Sequence, residues 1–288
     1  MPLSYCADLM RRYDNDRFLC AVFAPADERE GLMAVYAFNL EVARIRETVR
    51  EPLLGHIRLR WWADTLDAID AGGQPTHPVA GPLAEAMRRF GIERRRLDRI
   101  LRARAFDLDA SAPETVGDLI EYADATSAEP AAAGLQVLGV TDEETRAAAR
   151  EVGIAWALVG LLRALPFNLG GGHLYLPQEL TRQAGLDVEA LLNRASSDPA
   201  SLDRAGREGV ARVVARIAES ADDHLRRARD RRAGIDARGL PVLLPATLAD
   251  LYLRRLRRSG FDPFDRRVQA PAPARIIWTS LARARGRF

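Results

Sequence analysis

Helical periodicity runs through almost the whole chain, and the apolar/polar alternation of half-exposed strands is nearly missing, so the sequence predicts an all-α fold. Across residues 30–49 the apolar positions Met33, Tyr36, Ala37, Leu40 and Ile45 fall mostly at helical spacing. Pro52 and Gly55 interrupt, and residues 59–69 resume the pattern through Trp62, Leu66 and Ile69, which predicts a helical hairpin. Residues 71–82 hold two adjacent glycines with Pro75, Pro78 and Pro82, too many breakers for a helix interior. Helices are expected next at 82–90 and 93–108, then a long Ala-rich one at 115–138 that Pro130 should kink or divide. Thr141, with Glu144 placed for a capping box, should open a helix running to Leu165.

Pro166 and the run Gly170, Gly171, Gly172 should end that helix before a short extended stretch at 174–177. A polar loop is expected near 196–199, followed by helices at 202–232, 245–259 and 276–285. No fixed-period repeat and no long linker is visible, so residues 1–288 are read as one helical domain, with 268–288 as a basic C-terminal tail or last helix. A chain of 288 residues with 48% hydrophobic content can bury a substantial core.

Charge narrows the partners. All 42 basic residues are Arg, and a coding bias explains this better than selection for polyanion binding; the net charge of +2 exerts little pull on nucleic acid, which is not expected as a partner. Locally, residues 254–288 hold ten Arg against Asp262 and Asp265, a patch suited to acidic lipid headgroups or an acidic partner. Cys6 and Cys20 are too few and isolated for a disulfide framework. The first twenty residues resemble neither a secretory signal nor a transit peptide, and no apolar run reaches the roughly 18 residues of a membrane span. The expected place is the cytoplasm, with room for peripheral contact on the inner membrane.

The stretch Gly172-His-Leu-Tyr-Leu-Pro177, behind a long helix containing Arg163, resembles the second signature of the squalene/phytoene synthase family. Tyr36-Ala-Phe38, Arg60-Trp-Trp62, His77-Pro78, Asp118-Leu-x-x-Tyr122 and Gly153 follow the family's order, and together the likeness spans about residues 17–267. It implies an isoprenoid (terpenoid) synthase-like helical bundle around a central cavity. Head-to-head condensation of prenyl diphosphates begins by ionising a diphosphate, and Mg²⁺ held by carboxylates stabilises the departing charge. Acidic residues at i and i+4 share a helix face, so two facing helices must each supply such a pair.

Here the resemblance also shows what is missing. The family's first acidic motif falls on Ala43, Arg44 and Glu47, and the second on Arg163, Ala164 and Asn168. A cation at Arg44, if it faced the metal from about 5 Å at an effective dielectric near 20, would repel each unit of metal charge by roughly 3 kcal/mol. The usual Gln and Asn upstream of the second motif fall on Ala157 and Gly160. No catalytic residue and no metal ligand is therefore expected, and Mg²⁺ only if the chain is an active synthase after all.

The pattern of loss, with Tyr36-Ala-Phe-Asn-Leu-Glu41, Tyr122-Ala-Asp-Ala-Thr126 and Leu162-Arg-Ala-Leu-Pro166, resembles one branch of that family: the complex I assembly factor with a squalene/phytoene synthase-like domain, and its bacterial relatives. The implied role is non-catalytic, with protein partners in assembling respiratory NADH:quinone oxidoreductase and room for a peripheral membrane or prenyl-lipid contact. Two alternatives stay open: a divergent prenyltransferase gripping diphosphate through Arg44, Arg163 and other Arg without metal, and a non-catalytic prenyl-lipid or quinone binder. The resemblance makes Tyr36, Asn39, Arg44, Glu47, Arg163, Asn168, His173 and Tyr175 candidates to line the cavity. Structural roles compete throughout: Arg163 could form a buried ion pair, Arg44 could pair with Glu41 or Glu47, Asn168 could cap a helix end, and His173 could face solvent. The triple glycine lacks the Lys-Ser/Thr of a phosphate loop and reads as a turn, and the four histidines show no metal spacing. Of the adjacent Trp61 and Trp62, one should enter the core and the other face a neighbour or a partner.

Overall fold

The computed structural model describes residues 3–49, 51–109, 111–197, 203–270 and 272–288, and among them it contains helices and turns but no strand. The chain begins with α1 (Tyr5–Tyr13), α2 (Asn15–Ala21), α3 (Ala26–Ala43), α4 (Ile45–Thr48), α5 (Pro52–Asp70), α6 (Ala80–Phe90) and α7 (Arg94–Ala105). It continues through α8 (Val116–Ala123), α9 (Glu129–Val137), α10 (Glu143–Arg163), α11 (Leu165–Gly170), α12 (Gln178–Gln183) and α13 (Val188–Ser197). The last part is α14 (Arg204–Asp230), α15 (Leu240–Leu243), α16 (Pro245–Arg258), α17 (Arg266–Gln269) and α18 (Arg275–Ala284).

Two helices organise the core. In α3 every residue from Gly31 to Asn39 is buried, because α1, α6 and α9 pack around it; a helix hydrophobic on all sides belongs inside a bundle. Helix α10 packs on α9, α14 and α16, with Val152, Ile154, Ala155, Leu158, Val159 and Leu162 buried. The C-terminal residues expected as a tail or last helix form α18, which packs on α16 and α2; Arg275 donates to Asn15 at 2.8 Å.

Several expected boundaries move, for identifiable reasons. The long helix at 115–138 does not break at Pro130; the buried π turn Asp124–Ala128 joins α8 to α9, and Pro130 sits in the first turn of α9, where its missing N–H costs little. Asp142, not Thr141, caps α10, its carboxylate accepting from the Thr145 N–H at 2.7 Å. Pro166 does not end the helical run but lies in the first turn of α11. The loop expected at 196–199 lies partly outside the described residues, as does Leu202 at the start of the predicted 202–232 helix, while Ser196 and Ser197 close α13.

Candidate functional site

Two helix ends build the site. Helix α3 ends at Ala43, and Arg44 joins it to the short α4; α10 ends at Arg163, and Ala164 joins it to the short α11. Each junction carries one i, i+4 pair, Ala43 with Glu47 and Ala164 with Asn168. All four line one cavity of about 240 Å³, together with Arg17, Arg46, Ala157, Gly160 and Tyr175 among others. A second hollow of about 440 Å³ shares Arg46, Glu47, Asp107 and Phe167 with it and adds Pro52 and His173.

The cavity floor is a buried network that sequence reading missed. Tyr122 donates to Asp107 Oδ1 at 2.6 Å and Tyr175 to the same oxygen at 2.8 Å, while Arg104 donates to Asp107 Oδ2 at 3.0 Å and to the Tyr122 hydroxyl at 2.7 Å. Burial works against the charge on Arg104, yet Tyr122 and Asp107 beside it hold its pKa above the usual arginine value. Burial, reinforced by Asp107, raises the Tyr175 hydroxyl, so both groups keep their protons and their hydrogen-bond roles. Tyr122 and Tyr175 stood out in the sequence as motif residues, but for Asp107 and Arg104 the signal was only an acid between Phe106 and Leu108 at the end of an Arg-rich helix.

The candidates divide. Glu47, Asn168 and Tyr175 line the cavity, and His173 lines the adjoining hollow. Gly172, with φ +70°, makes the turn that lets His173 fold inward rather than face solvent. His173 is buried against Tyr175, ring centroids 4.5 Å apart, and its Nε2 has no hydrogen-bond partner among the described residues. Burial, then the nearby Arg46, push its pKa down to about 4, so it is neutral at physiological pH.

Tyr36 and Asn39 do not line the cavity: both are buried in the all-round core face of α3, and Arg17 lies over the Tyr36 ring at 5.6 Å. Arg44 also faces elsewhere. Its guanidinium stacks on Tyr13 at 3.8 Å and pairs with Glu47 at 3.2 Å, so the metal repulsion expected of it does not arise from that direction. Arg163 lies 3.5 Å over the Tyr252 ring and 3.8 Å from Asp16, within a cluster completed by the Tyr252 hydroxyl on Asp16 at 2.6 Å. Arg44 and Arg163 therefore do not converge on the cavity, and of the other arginines Arg17, Arg46 and Arg104 line it.

The donor set does not fit Mg²⁺. Where facing carboxylate pairs would be needed, the cavity offers Glu47, already paired with Arg44, and the neutral amide of Asn168. Asp107 is committed to Arg104 and two tyrosines. Among the described residues no group of three or more His, Cys, Asp or Glu is arranged to hold a metal ion.

Of the other motif residues, Asp118 forms a capping box with Thr115 at the start of α8. His77 caps α6, its Nδ1 accepting from the Val79 and Ala80 N–H groups at 3.3 Å. Trp62 is buried, and Trp61 is 45% exposed.

Comparison with known proteins gives the following. The family model described as squalene/phytoene synthase matches residues 10–274. The chain is 31% identical over 265 residues to the NADH dehydrogenase (ubiquinone) complex I, assembly factor 6, of Bos taurus, covering 92% of this chain and 77% of that protein. Among solved structures, a dehydrosqualene synthase in complex with ligand superposes with a TM-score of 0.79 at 18% identity, over 98% of this chain and 95% of that one. Squalene synthase HpnC from Alicyclobacillus acidocaldarius superposes with a TM-score of 0.74 at 20% identity, over 90% of this chain and 94% of that one. The helical bundle has the isoprenoid synthase fold.

Proposed function

The chain belongs to the squalene/phytoene synthase family, and from that premise we propose that it serves the assembly of respiratory NADH:quinone oxidoreductase (complex I) without catalysing prenyl transfer. One observation carries the second half: the paired positions at the ends of α3 and α10 still share one cavity, but they hold Ala43, Glu47, Ala164 and Asn168, a single carboxylate among four. Ionising a diphosphate leaves negative charge that this set cannot hold through Mg²⁺. The likeness to complex I assembly factor 6 supports the first half and points to protein partners within the assembling complex. The proposed place of work is the cytoplasm, with peripheral contact on the inner membrane.

The test has two arms. Purified protein given farnesyl or geranylgeranyl diphosphate with Mg²⁺ is expected to yield no squalene- or phytoene-type product, and loss of the chain is expected to lower the amount of assembled NADH:quinone oxidoreductase. Robust turnover, or an undiminished complex, would overturn the reading.

The retained cavity supports a narrower second reading, a non-catalytic prenyl-lipid or quinone binder, since its roughly 240 Å³ adjoins the larger hollow and shares Arg46, Glu47 and Phe167 with it. Lipid extraction of the purified protein followed by mass spectrometry tests it: a stoichiometric prenyl lipid supports it, and none argues against it.

A further inference from the structure

Helix α5 wears two apolar stripes on opposite sides. Gly55, Leu59, Trp62 and Leu66 face the core. At the 100° per residue of an α-helix, Leu53, Leu54, Ile57 and Trp61 fall on the opposite side, and they are 66%, 47%, 56% and 45% exposed. A surface helix needs only the first stripe; the second is unpartnered. Arg58 and Arg60 flank it, both exposed, with Glu51 at its leading edge.

Most of the remaining exposed large apolar side chains link to this stripe through a chain of contacts. Tyr5 lines a hollow of about 450 Å³ with Trp61, Arg58 and Arg44. Arg44 stacks on the exposed Tyr13, and two residues on, Asn15 accepts from Arg275 at the start of α18. There Ile276, Ile277 and Trp278 are exposed, with Arg254 over the Trp278 ring at 6.0 Å. Phe167, 64% exposed, stands where the two site hollows meet. Apolar and aromatic side chains interleaved with arginine are the composition of an interfacial anchor: rings and aliphatic groups enter the acyl boundary while guanidinium groups stay at the phosphates. No helix among the described residues is long and apolar enough to cross a membrane, so contact of this kind is with the surface.

We propose that the outer stripe of α5, together with Phe167 and the exposed residues of α18, seats the chain on an anionic phospholipid bilayer, with the mouth of the retained cavity facing the lipid. The charge of the rim selects the occupant: Arg58 and Arg254 border the apolar residues with no acidic partner among the described residues, while Arg44, Arg60 and Arg275 neutralise Glu47, Asp64 and Asp16. This deepens the peripheral placement given under the proposed function, but it can be measured apart from complex assembly.

The experiment is vesicle flotation of the full chain, with vesicles of phosphatidylcholine alone or mixed with phosphatidylglycerol. The protein is expected to float with the anionic vesicles at least tenfold more tightly than with the neutral ones, and raised salt should weaken the binding. Leu54→Asp with Ile57→Asp should cost at least tenfold while circular dichroism and melting temperature stay unchanged; if that pair disturbs folding, the single changes Ile57→Ser and Arg58→Glu serve. Absence of binding to anionic vesicles, or undiminished binding by a folded stripe variant, overturns the proposal. A stripe variant that binds vesicles normally yet fails to support assembly would overturn it in favour of a protein contact. Stripe-dependent vesicle binding alongside an undiminished complex after loss of the chain would leave it standing and remove the assembly reading.

Discussion

Asp107 shows what one buried residue does for this site. Its carboxylate answers three donors, Arg104, Tyr122 and Tyr175, drawn from three separate stretches of chain. Asp107→Ala would leave Arg104 buried without its counter-charge, and the expected loss is about 3–5 kcal/mol of stability, measured by urea unfolding. Asp107→Asn, which keeps a neutral acceptor, should lose less. His173 adds a pH dependence. Its pKa is depressed from 6.5 to about 4 on folding, so the unfolded chain takes up the proton first as pH falls. Its contribution is complete above about pH 6.5 and disappears as pH drops toward 4, amounting at most to ~3 kcal/mol. His173→Phe is therefore expected to show a shallower fall in unfolding free energy between neutral pH and pH about 4 than the native chain. The paired positions Ala43, Glu47, Ala164 and Asn168 were legible only through the resemblance to the family's acidic motifs, and the i, i+4 spacing adds that each pair shares a helix face. The network around Asp107 was not, since no local rule links it to Tyr175, 68 residues away.

At the level of elements, the packing of α10 on the buried π turn gives a prediction whose sign runs against propensity. Glycine inside a helix normally costs about 0.5–1 kcal/mol relative to alanine. At Gly153, however, an added Cβ would stand 2.6 Å from the Ala128 Cα and 2.8 Å from its nitrogen, both backbone atoms that cannot swing aside. Gly153→Ala should destabilise by about 1–3 kcal/mol. Gly160, two turns on in the same helix, meets nothing within 4 Å because it faces the cavity, and Gly160→Ala should stabilise by about 0.5–1 kcal/mol. Chemical denaturation of the two variants in parallel checks both signs. The same region explains why helices were easier to read than their ends. Apolar spacing marked α3, α10, α14 and α16 because each buries a long face. Proline is ambiguous by comparison: Pro52, Pro130, Pro166 and Pro245 all lie in the first turn of a helix, so a residue read as a stop can equally be a start. The short α1, α2, α12 and α13 offered too few turns for periodicity to register.

Across the whole molecule, the cavity joins two helix ends that would have to act together on a metal, and the geometry says which changes would restore that. Ala43, Ala164 and Asn168 line the cavity with Glu47, whereas Arg44 lines the hollow on the α5 side. Ala43→Asp, Ala164→Asp and Asn168→Asp together would place four carboxylates at the paired helix-end positions, above the committed Asp107. Without metal their mutual repulsion should lower the melting temperature of the triple variant below that of the native chain. Mg²⁺ at about 100 times its dissociation constant would return ~2.7 kcal/mol, a rise of several degrees for a chain of this size. The native chain, whose cavity carboxylates Glu47 and Asp107 are both committed to arginines, should not respond. Adding Arg44→Asp to the triple variant should enlarge the Mg²⁺ shift, because losing the guanidinium frees Glu47 from an ion pair at 3.2 Å. Thermal melts of the three proteins with and without Mg²⁺ separate these outcomes. A triple variant indifferent to Mg²⁺ would mean that the two helix ends no longer approach closely enough to share an ion, and the loss would then lie in the backbone as well as in the side chains.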